Sequence, residues 1–171
     1  NTPRYQFGID LNADWKGFDF RAFFQGVMKR DYWQGSAYFW GATTLWHSTG
    51  FVEHADYFRA EPSNDLPANL DAYYPRPIFG SDKNKQTQSG YLQDASYIRL
   101  KNLQLGYTLP VSLTKKFAVS KLRVFISGEN LWTGTSLTKI FDPETIGGGD
   151  AYNGNAYPLS RTFSFGLNVT L

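Results

Sequence analysis

The sequence predicts an all-β protein, a transmembrane antiparallel β-barrel to which this chain contributes the last five strands. Three observations carry this prediction. Five segments alternate apolar and polar residues, the connections between them are alternately short and long, and aromatic residues make up 18% of the chain. Successive side chains of a strand point to opposite faces, so a strand between lipid and an aqueous lumen alternates in this way.

The alternation is clearest at the end of the chain. The odd positions from Phe163 to Leu171 are all apolar, whereas the even positions are Thr, Ser, Gly or Asn. The odd positions therefore form the predicted lipid face of this strand. The five predicted strands span about 5–15, 18–27, 95–109, 122–132 and 162–171.

The third predicted strand changes phase in its middle. Leu103 and Leu105 are apolar at odd positions, but Ile98 and Leu100 are apolar at even positions. A β-bulge near Lys101–Asn102 produces such a shift, and so does a strand that leaves the membrane.

The connections alternate in length. A tight turn at 16–17 and a compact connector at 110–120, with about one helical turn, are short, whereas 28–93 and 133–157 are long. Outer-membrane barrels have short periplasmic turns and long extracellular loops, so the two long segments are predicted to be extracellular. Part of the first, around 51–60, is predicted to be a short helix.

Composition excludes several classes of function. The chain has no cysteine, which removes disulfides and thiolate metal sites, and its net charge of +2 gives no basic patch for nucleic acid. With a mean hydropathy of −0.41 it contains no run for a spanning helix. Five strands in lipid leave two unpaired edges, and the smallest barrels have about eight strands, so we expect a piece of a larger barrel.

Aromatic residues of the first long segment are the candidate substrate contacts. Trp33, Tyr38, Trp40 and Trp46 offer ring faces that stack on sugars or grip peptide side chains. The alternative is that these rings pack the loop itself or the interface with a lid protein.

Two further sets follow from the strands. Aromatic residues at strand ends are predicted to anchor the barrel at the lipid interface; they are Trp15, Phe18, Tyr107 and Trp132. Charged residues on the polar faces are predicted to line the lumen and pair with each other or with a plug; they are Asp10, Asp14, Asp19, Arg21, Arg123 and Glu129. Phe125 interrupts the polar face of its strand.

No convincing catalytic or metal set is present, so the protein is predicted not to be an enzyme. His47 and His54 are seven residues apart, which matches no metal motif. The acidic residues of the first long segment are interpreted as solvated charges rather than a glycosidase pair; they are Glu53, Asp56, Glu61 and Asp65. No cofactor is expected. A calcium ion at Gly147–Asp150, with Asp142 and Glu144, is the alternative left open.

Several segments resemble, in order, the end of the SusC/RagA-like TonB-dependent transporters. They are 94–110 (DASYIRLKNLQLGYTLP), 122–132 (LRVFISGENLW), 141–144 (FDPE) and 157–171 (YPLSRTFSFGLNVTL), with 72–77 (AYYPRP) fitting the loop before them. The resemblance implies a barrel of 22 strands with an N-terminal plug in the outer membrane of a Gram-negative cell. It also implies energy-coupled import of glycans or peptides, a SusD-like surface lipoprotein as lid, and contact with the TonB complex through segments outside this chain.

The last strand also carries the pattern of an outer-membrane assembly signal. Ser164, Gly166, Val169 and Leu171 occupy its polar, glycine and two apolar positions, with Leu in place of the commoner final Phe. We expect a strand with this pattern to pair with the barrel assembly machinery by β-augmentation. The alternative to the whole interpretation is a soluble carbohydrate-binding β-sandwich, which also has alternating strands and surface aromatics.

Overall fold

A computed structural model describes residues 2–33, 35–41, 50–63, 65–81, 83–146 and 156–171. Contacts divide the chain into two compact units. The strand unit comprises 2–30, 95–136 and 159–171, and the loop unit contains 31–94 and 137–158. The sequence predicted one domain. Within the described residues, no helix is both long and apolar enough to cross a membrane.

Seven strands and a few short helices make up the regular structure of the described residues. The strands are β1 (Tyr5–Trp15), β2 (Phe18–Met28), β3 (Asp31–Trp33), β4 (Leu92–Asp94), β5 (Tyr97–Thr108), β6 (Lys121–Thr135) and β7 (Thr162–Thr170). The α-helical turns are α1 (Ala37–Trp40) and α2 (Val111–Thr114), and 3-10 turns span Val52–Ala55, Lys83–Lys85, Ser89–Tyr91 and Lys115–Phe117.

The five long strands form one antiparallel sheet in the order β1-β2-β5-β6-β7. Each strand pairs with the next long strand along the chain. The β1–β2 turn consists of Lys16 and Gly17, with φ of 48° and 90°. Both residues of a type I′ turn need positive φ, and this turn matches the twist of the flanking strands, so the two residues predicted to turn do so in the favoured geometry.

One face of the sheet is apolar across all five strands. Residues directly opposite in an antiparallel pair lie on the same face. Phe165 lies opposite Ile126, Ile126 opposite Leu105, Leu105 opposite Phe20, and Phe20 opposite Ala13. The predicted lipid face of the last strand is therefore continued by the other four.

A β-bulge keeps this face continuous. The register between β2 and β5 skips Lys101, since Phe23 lies opposite Asn102 and Phe24 opposite Leu100. The predicted bulge is thus confirmed. The β5–β6 register shifts at the same level, where Asn130 of β6 has a φ of 53°. The bulge returns Leu100 to the apolar face.

On the opposite face, an ion pair links two strands across the strand that lies between them; we call this ion pair the staple. Arg123 on β6 reaches over β5 and forms a bidentate ion pair with Asp19 on β2; its Nε donates to Asp19 Oδ2 at 2.8 Å. Between the two strands lies Gly106, where an added Cβ would collide with both charged groups. The glycine therefore opens the path for the ion pair.

Glycines also accommodate the aromatic residue on this face. Phe125 lies opposite Gly106 on one side and Gly166 on the other. Its ring covers Gly166, so that a Cβ there would meet the ring, and the guanidinium of Arg123 lies 4.8 Å from the ring centroid. Phe125 interrupts the polar pattern because its ring fills the space that Gly166 leaves.

Some predicted strand bounds differ from the observed ones by a single residue, as at the ends of β2 and β7 and the start of β6, and others differ by more. β5 begins at Tyr97 and ends at Thr108, two residues and one residue inside the predicted 95–109. β6 continues to Thr135 rather than ending at 132, because the bulge inverts the alternation on which the predicted end was based. The pair β3–β4 was missed within 28–93, since three-residue strands are too short to show a period. The helical turn in 110–120 and the short helix within 51–60 are present.

Replacement of Gly106 tests the staple. In the full protein, we expect Gly106→Ala to lower the free energy of unfolding by about 1–3 kcal/mol, because the added methyl group displaces the Asp19–Arg123 pair. Denaturant unfolding in detergent micelles, followed by the gel mobility of the folded form, measures the loss. Gly90→Ala is the control, since an added Cβ there meets nothing closer than 4.0 Å. Equal stability of the two variants would contradict the account.

Candidate functional site

The loop unit is built around an aromatic cluster. Phe39 is fully buried, and four other rings pack around it with centroids 5.0–6.5 Å away. These rings are Trp40, Tyr73, Tyr74 and Tyr91. Most of the contacts are edge-to-face, a geometry that adds about 0.5–1.5 kcal/mol per pair beyond the burial of area. Burial also raises the pKa of the Tyr74 phenol to about 12, although its hydrogen bond to Thr138 acts in the opposite direction.

His54 is part of the same packing. Its Nδ1 accepts a hydrogen bond from the backbone N–H of Phe51 at 2.8 Å, and its Nε2 lies 2.9 Å from the carbonyl oxygen of Phe39, to which it donates. This pattern requires the neutral tautomer with the proton on Nε2. Both ring nitrogens are engaged, so His54 holds the loop together in this conformation. His47 lies outside the described residues.

The candidate substrate contacts have different environments. Trp40 is only 8% exposed, and its ring packs edge-on against Tyr91 at 4.8 Å. Most of its surface is thus used in packing the loop unit, the alternative that the sequence left open. Trp33 and Tyr38 remain partly exposed. The ring centroids of Trp33 and Trp40 are 5.9 Å apart. Trp46 lies outside the described residues.

Asp56 and Asp65, two of the acidic candidates, lie in structured parts of the loop unit. Asp56 accepts hydrogen bonds from Asn69 Nδ2 at 2.7 Å and from the backbone N–H of Tyr73 at 3.2 Å, so its carboxylate organises the loop. Asp65 has a φ of 61° at a turn. Among the described residues, no three acidic or histidine side chains cluster as metal ligands would.

The calcium alternative concerns a second turn. Asp142 Oδ1 accepts from the backbone N–H of Glu144 at 2.9 Å, as in an Asx turn. The glycines and the acidic residue of 147–150 lie outside the described residues. The prediction from the sequence stays the absence of a cofactor, with the calcium site as its untested alternative.

A groove of about 690 Å³ in the loop unit was not predicted. It is lined by 57–63, 76 and 77. Arg59 is 7% exposed at its wall, and Arg76 is exposed at the same groove. Glu61 is the acidic residue of the lining. The sequence did not indicate this groove, because the burial of a single arginine leaves no periodic pattern among its neighbours.

The polar face of the sheet contains two ion pairs between charged residues of its strands. Arg21 Nη2 lies 2.6 Å from Asp10 Oδ2, and Arg123 pairs with Asp19 as described above. The pairing predicted for four of the six lumen candidates is therefore found within the sheet itself.

Three residues of the assembly pattern lie on β7, on both of its faces, and Leu171 directly follows the strand. Val169 on the apolar face is 55% exposed, and Leu171 is 91% exposed. Ser164 lies opposite Ser127 on the other face, where Gly166 is covered by Phe125. Gly166 thus has a structural role, and its part in the assembly signal stays a prediction.

The chain is similar to known proteins in sequence and in structure. No protein-family model matches the chain. It is 32% identical to TonB-dependent receptor P3 and 31% identical to TonB-dependent receptor P26, both from Formosa agariphila, in each case over 98% of the chain. The RagAB peptide importer, in its closed-closed state, matches 98% of the chain with a TM-score of 0.68 and 26% identity. The chain spans 16% and 17% of the two receptors and 17% of the RagAB chain.

A sheet with one exposed apolar face and one polar, ion-paired face, aligned with these proteins, is part of an antiparallel β-barrel of the outer membrane. The chain belongs to the SusC/RagA-like TonB-dependent transporters of Gram-negative bacteria, as the sequence predicted. A β-sandwich would bury one face of its sheet. Here Phe163, Phe165 and Ile126 are 76%, 70% and 56% exposed, as lipid contact requires.

Arginine substitutions test the apolar face. We expect Phe7→Arg and Leu167→Arg each to destabilise the barrel by about 2–4 kcal/mol at midplane depth, because a guanidinium must enter hydrocarbon. Gln6→Arg is the matched control, since Gln6 is next to Phe7 but points to the opposite face. Folding into lipid vesicles measures the difference. Unimpaired insertion of both apolar-face variants would contradict the assignment.

Replacement of Trp40 tests the aromatic cluster. We expect Trp40→Ala to cost about 3–5 kcal/mol of local stability, since a large buried ring is removed. Limited proteolysis of the full protein should then cut faster between residues 31 and 94. Val52→Ala, at a residue that is 89% exposed, should leave the rate unchanged. Equal cleavage of the Trp40 variant and the wild type would show that the ring is not part of the loop core.

Proposed function

We propose that the whole protein imports a large nutrient, a glycan or a peptide, across the outer membrane with energy supplied through TonB. The observation that carries the proposal is the two-faced sheet. Its apolar face suits contact with lipid, and its polar face, with the Asp10–Arg21 and Asp19–Arg123 pairs, suits an aqueous lumen filled by a plug. Likeness to the RagAB peptide importer supports import as the activity of such a barrel.

The nutrient class is supported by the relatives and by the loops. The RagAB structure is named a peptide importer, whereas the names of the two receptors state no substrate. We propose Trp33, Tyr38 and Trp46 as ring contacts for the nutrient, with the packed ring of Trp40 supporting Trp33. The long segments 28–93 and 133–157 are proposed to face the cell exterior.

The proposed partners follow from the same assignment. A SusD-like lipoprotein would cover the loops, and the TonB complex would act through a plug region outside this chain. The barrel assembly machinery would recognise the last strand through Ser164, Gly166, Val169 and Leu171. No covalent chemistry is proposed. The hydrogen bonds of His54 and Asp56 give these residues structural roles instead.

Uptake measurements test the proposal. Cells that express the full transporter should accumulate labelled oligopeptides or oligosaccharides, and this accumulation should fall to background in TonB-deficient cells. A strain without the transporter gives the baseline. Uptake that is equal with and without TonB, or the absence of uptake of either class, would contradict the proposed function.

A further inference from the structure

We propose that the groove bordered by Arg59 and Arg76 binds a carboxylate of the transported substrate. This inference rests on the proposed function and specifies the chemistry that the loop unit recognises. The shared ligand chemistry is a carboxylate attached to a body with an apolar or ring face. An acidic peptide and a uronic-acid sugar are its two sources.

Arg59 is the first component of this site. Its side chain is held by three backbone carbonyl oxygens: Nε donates to Pro67 at 2.8 Å, and Nη1 donates to Ala55 at 2.7 Å and to Tyr57 at 3.2 Å. The ring of Tyr57 lies 4.5 Å from its Cζ. Carbonyl dipoles orient a guanidinium but supply no full negative charge. Within the described residues, Arg59 forms no ion pair.

The remaining nitrogen of Arg59 is available to a ligand. Among the described residues, Nη2 makes no hydrogen bond, and it is not one of the buried polar atoms that lack a partner, so solvent reaches it. Arg59 is one of the residues that line the groove. A nearly buried cation that is fixed in place and lacks a counter-charge favours binding of an anion.

Arg76 is the second component. Its neighbours are Pro75 and Pro77, and a residue that precedes proline is restricted to extended backbone conformations. Asn84 Nδ2 donates to the Arg76 carbonyl oxygen at 2.9 Å and fixes the segment further. The backbone that presents this guanidinium is therefore ordered before a ligand binds, which reduces the entropic cost of binding.

The rest of the lining fits the body of a ligand. Tyr57 and Phe58 contribute aromatic surface, and the volume of about 690 Å³ falls in the range of about 300–1,000 Å³ that ligand sites occupy. Glu61 leaves the groove with a net positive charge. It would also disfavour a second carboxylate, or offer an acceptor to a hydroxyl or amide of the ligand.

Binding measurements on the full transporter test this site. The probes are a fluorescent tetrapeptide with a free C-terminal carboxylate, its C-terminally amidated twin, and an oligogalacturonate with its neutral methyl ester. We expect the wild type to bind at least one acidic probe about tenfold more tightly than its neutral twin, the effect of a charged hydrogen bond. The pair that shows this difference identifies the source of the carboxylate.

Substitutions locate the effect. Arg76→Gln should remove most of the preference for the acidic probe while leaving affinity for the neutral twin unchanged. Lys83→Gln is the matched control, because it removes a positive charge from an exposed position outside the groove. Arg59→Lys keeps the positive charge but loses the planar guanidinium with its paired donors. It should also reduce the preference for the acidic probe, and wild-type protease resistance of this variant would show that the loop unit is still folded.

Several outcomes would overturn the inference. They are equal binding of acidic and neutral probes by the wild type, an unchanged preference in Arg76→Gln, and an equal loss in Lys83→Gln. TonB-dependent uptake of the neutral probes by Arg76→Gln separates the two proposals. If that uptake persists while the preference is absent from the wild type, the carboxylate site fails and the proposed import stands.

Discussion

The structure of the sheet depends on register. A period of two gives every strand an apolar and a polar face, but a slip of one residue in any pair would place the apolar side chains of that strand on the wrong side. The chain keeps register across four pairings, and it uses the bulge at Lys101 where the alternation of β5 changes phase. Because lipid tolerates no charged side chain cheaply, this alignment is what allows the sheet to lie in a membrane.

The polar face solves a different problem. Its charges are compensated within the sheet itself, by diagonal ion pairs between strands. Gly106 provides the open path from Arg123 to Asp19, and Gly166 makes room for the ring of Phe125. Two glycines that look like interruptions of the strand pattern are thus the positions that allow a stapled, ordered lumen face.

The sequence predicted the strands well and the loop unit poorly, for physical reasons. The sheet is determined by alternation, which a sequence displays directly, so even the bulge near Lys101 could be inferred. The loop unit is determined by packing between residues far apart in sequence. The burial of Trp40 and the hydrogen bonds of His54 depend on which rings meet, and the groove at Arg59 depends on where three carbonyl groups converge. No local pattern records these contacts.

The central claim is that the odd positions of the last strand face lipid and the even positions face the lumen. Spin labels at single cysteines introduced from 162 to 170 in the full transporter, reconstituted in lipid, measure it most directly through collision with oxygen and with a water-soluble nickel chelate. We expect oxygen accessibility to peak at 163, 165, 167 and 169, and the chelate to prefer the even positions. Accessibility without a period of two, or with the opposite phase, would contradict the account.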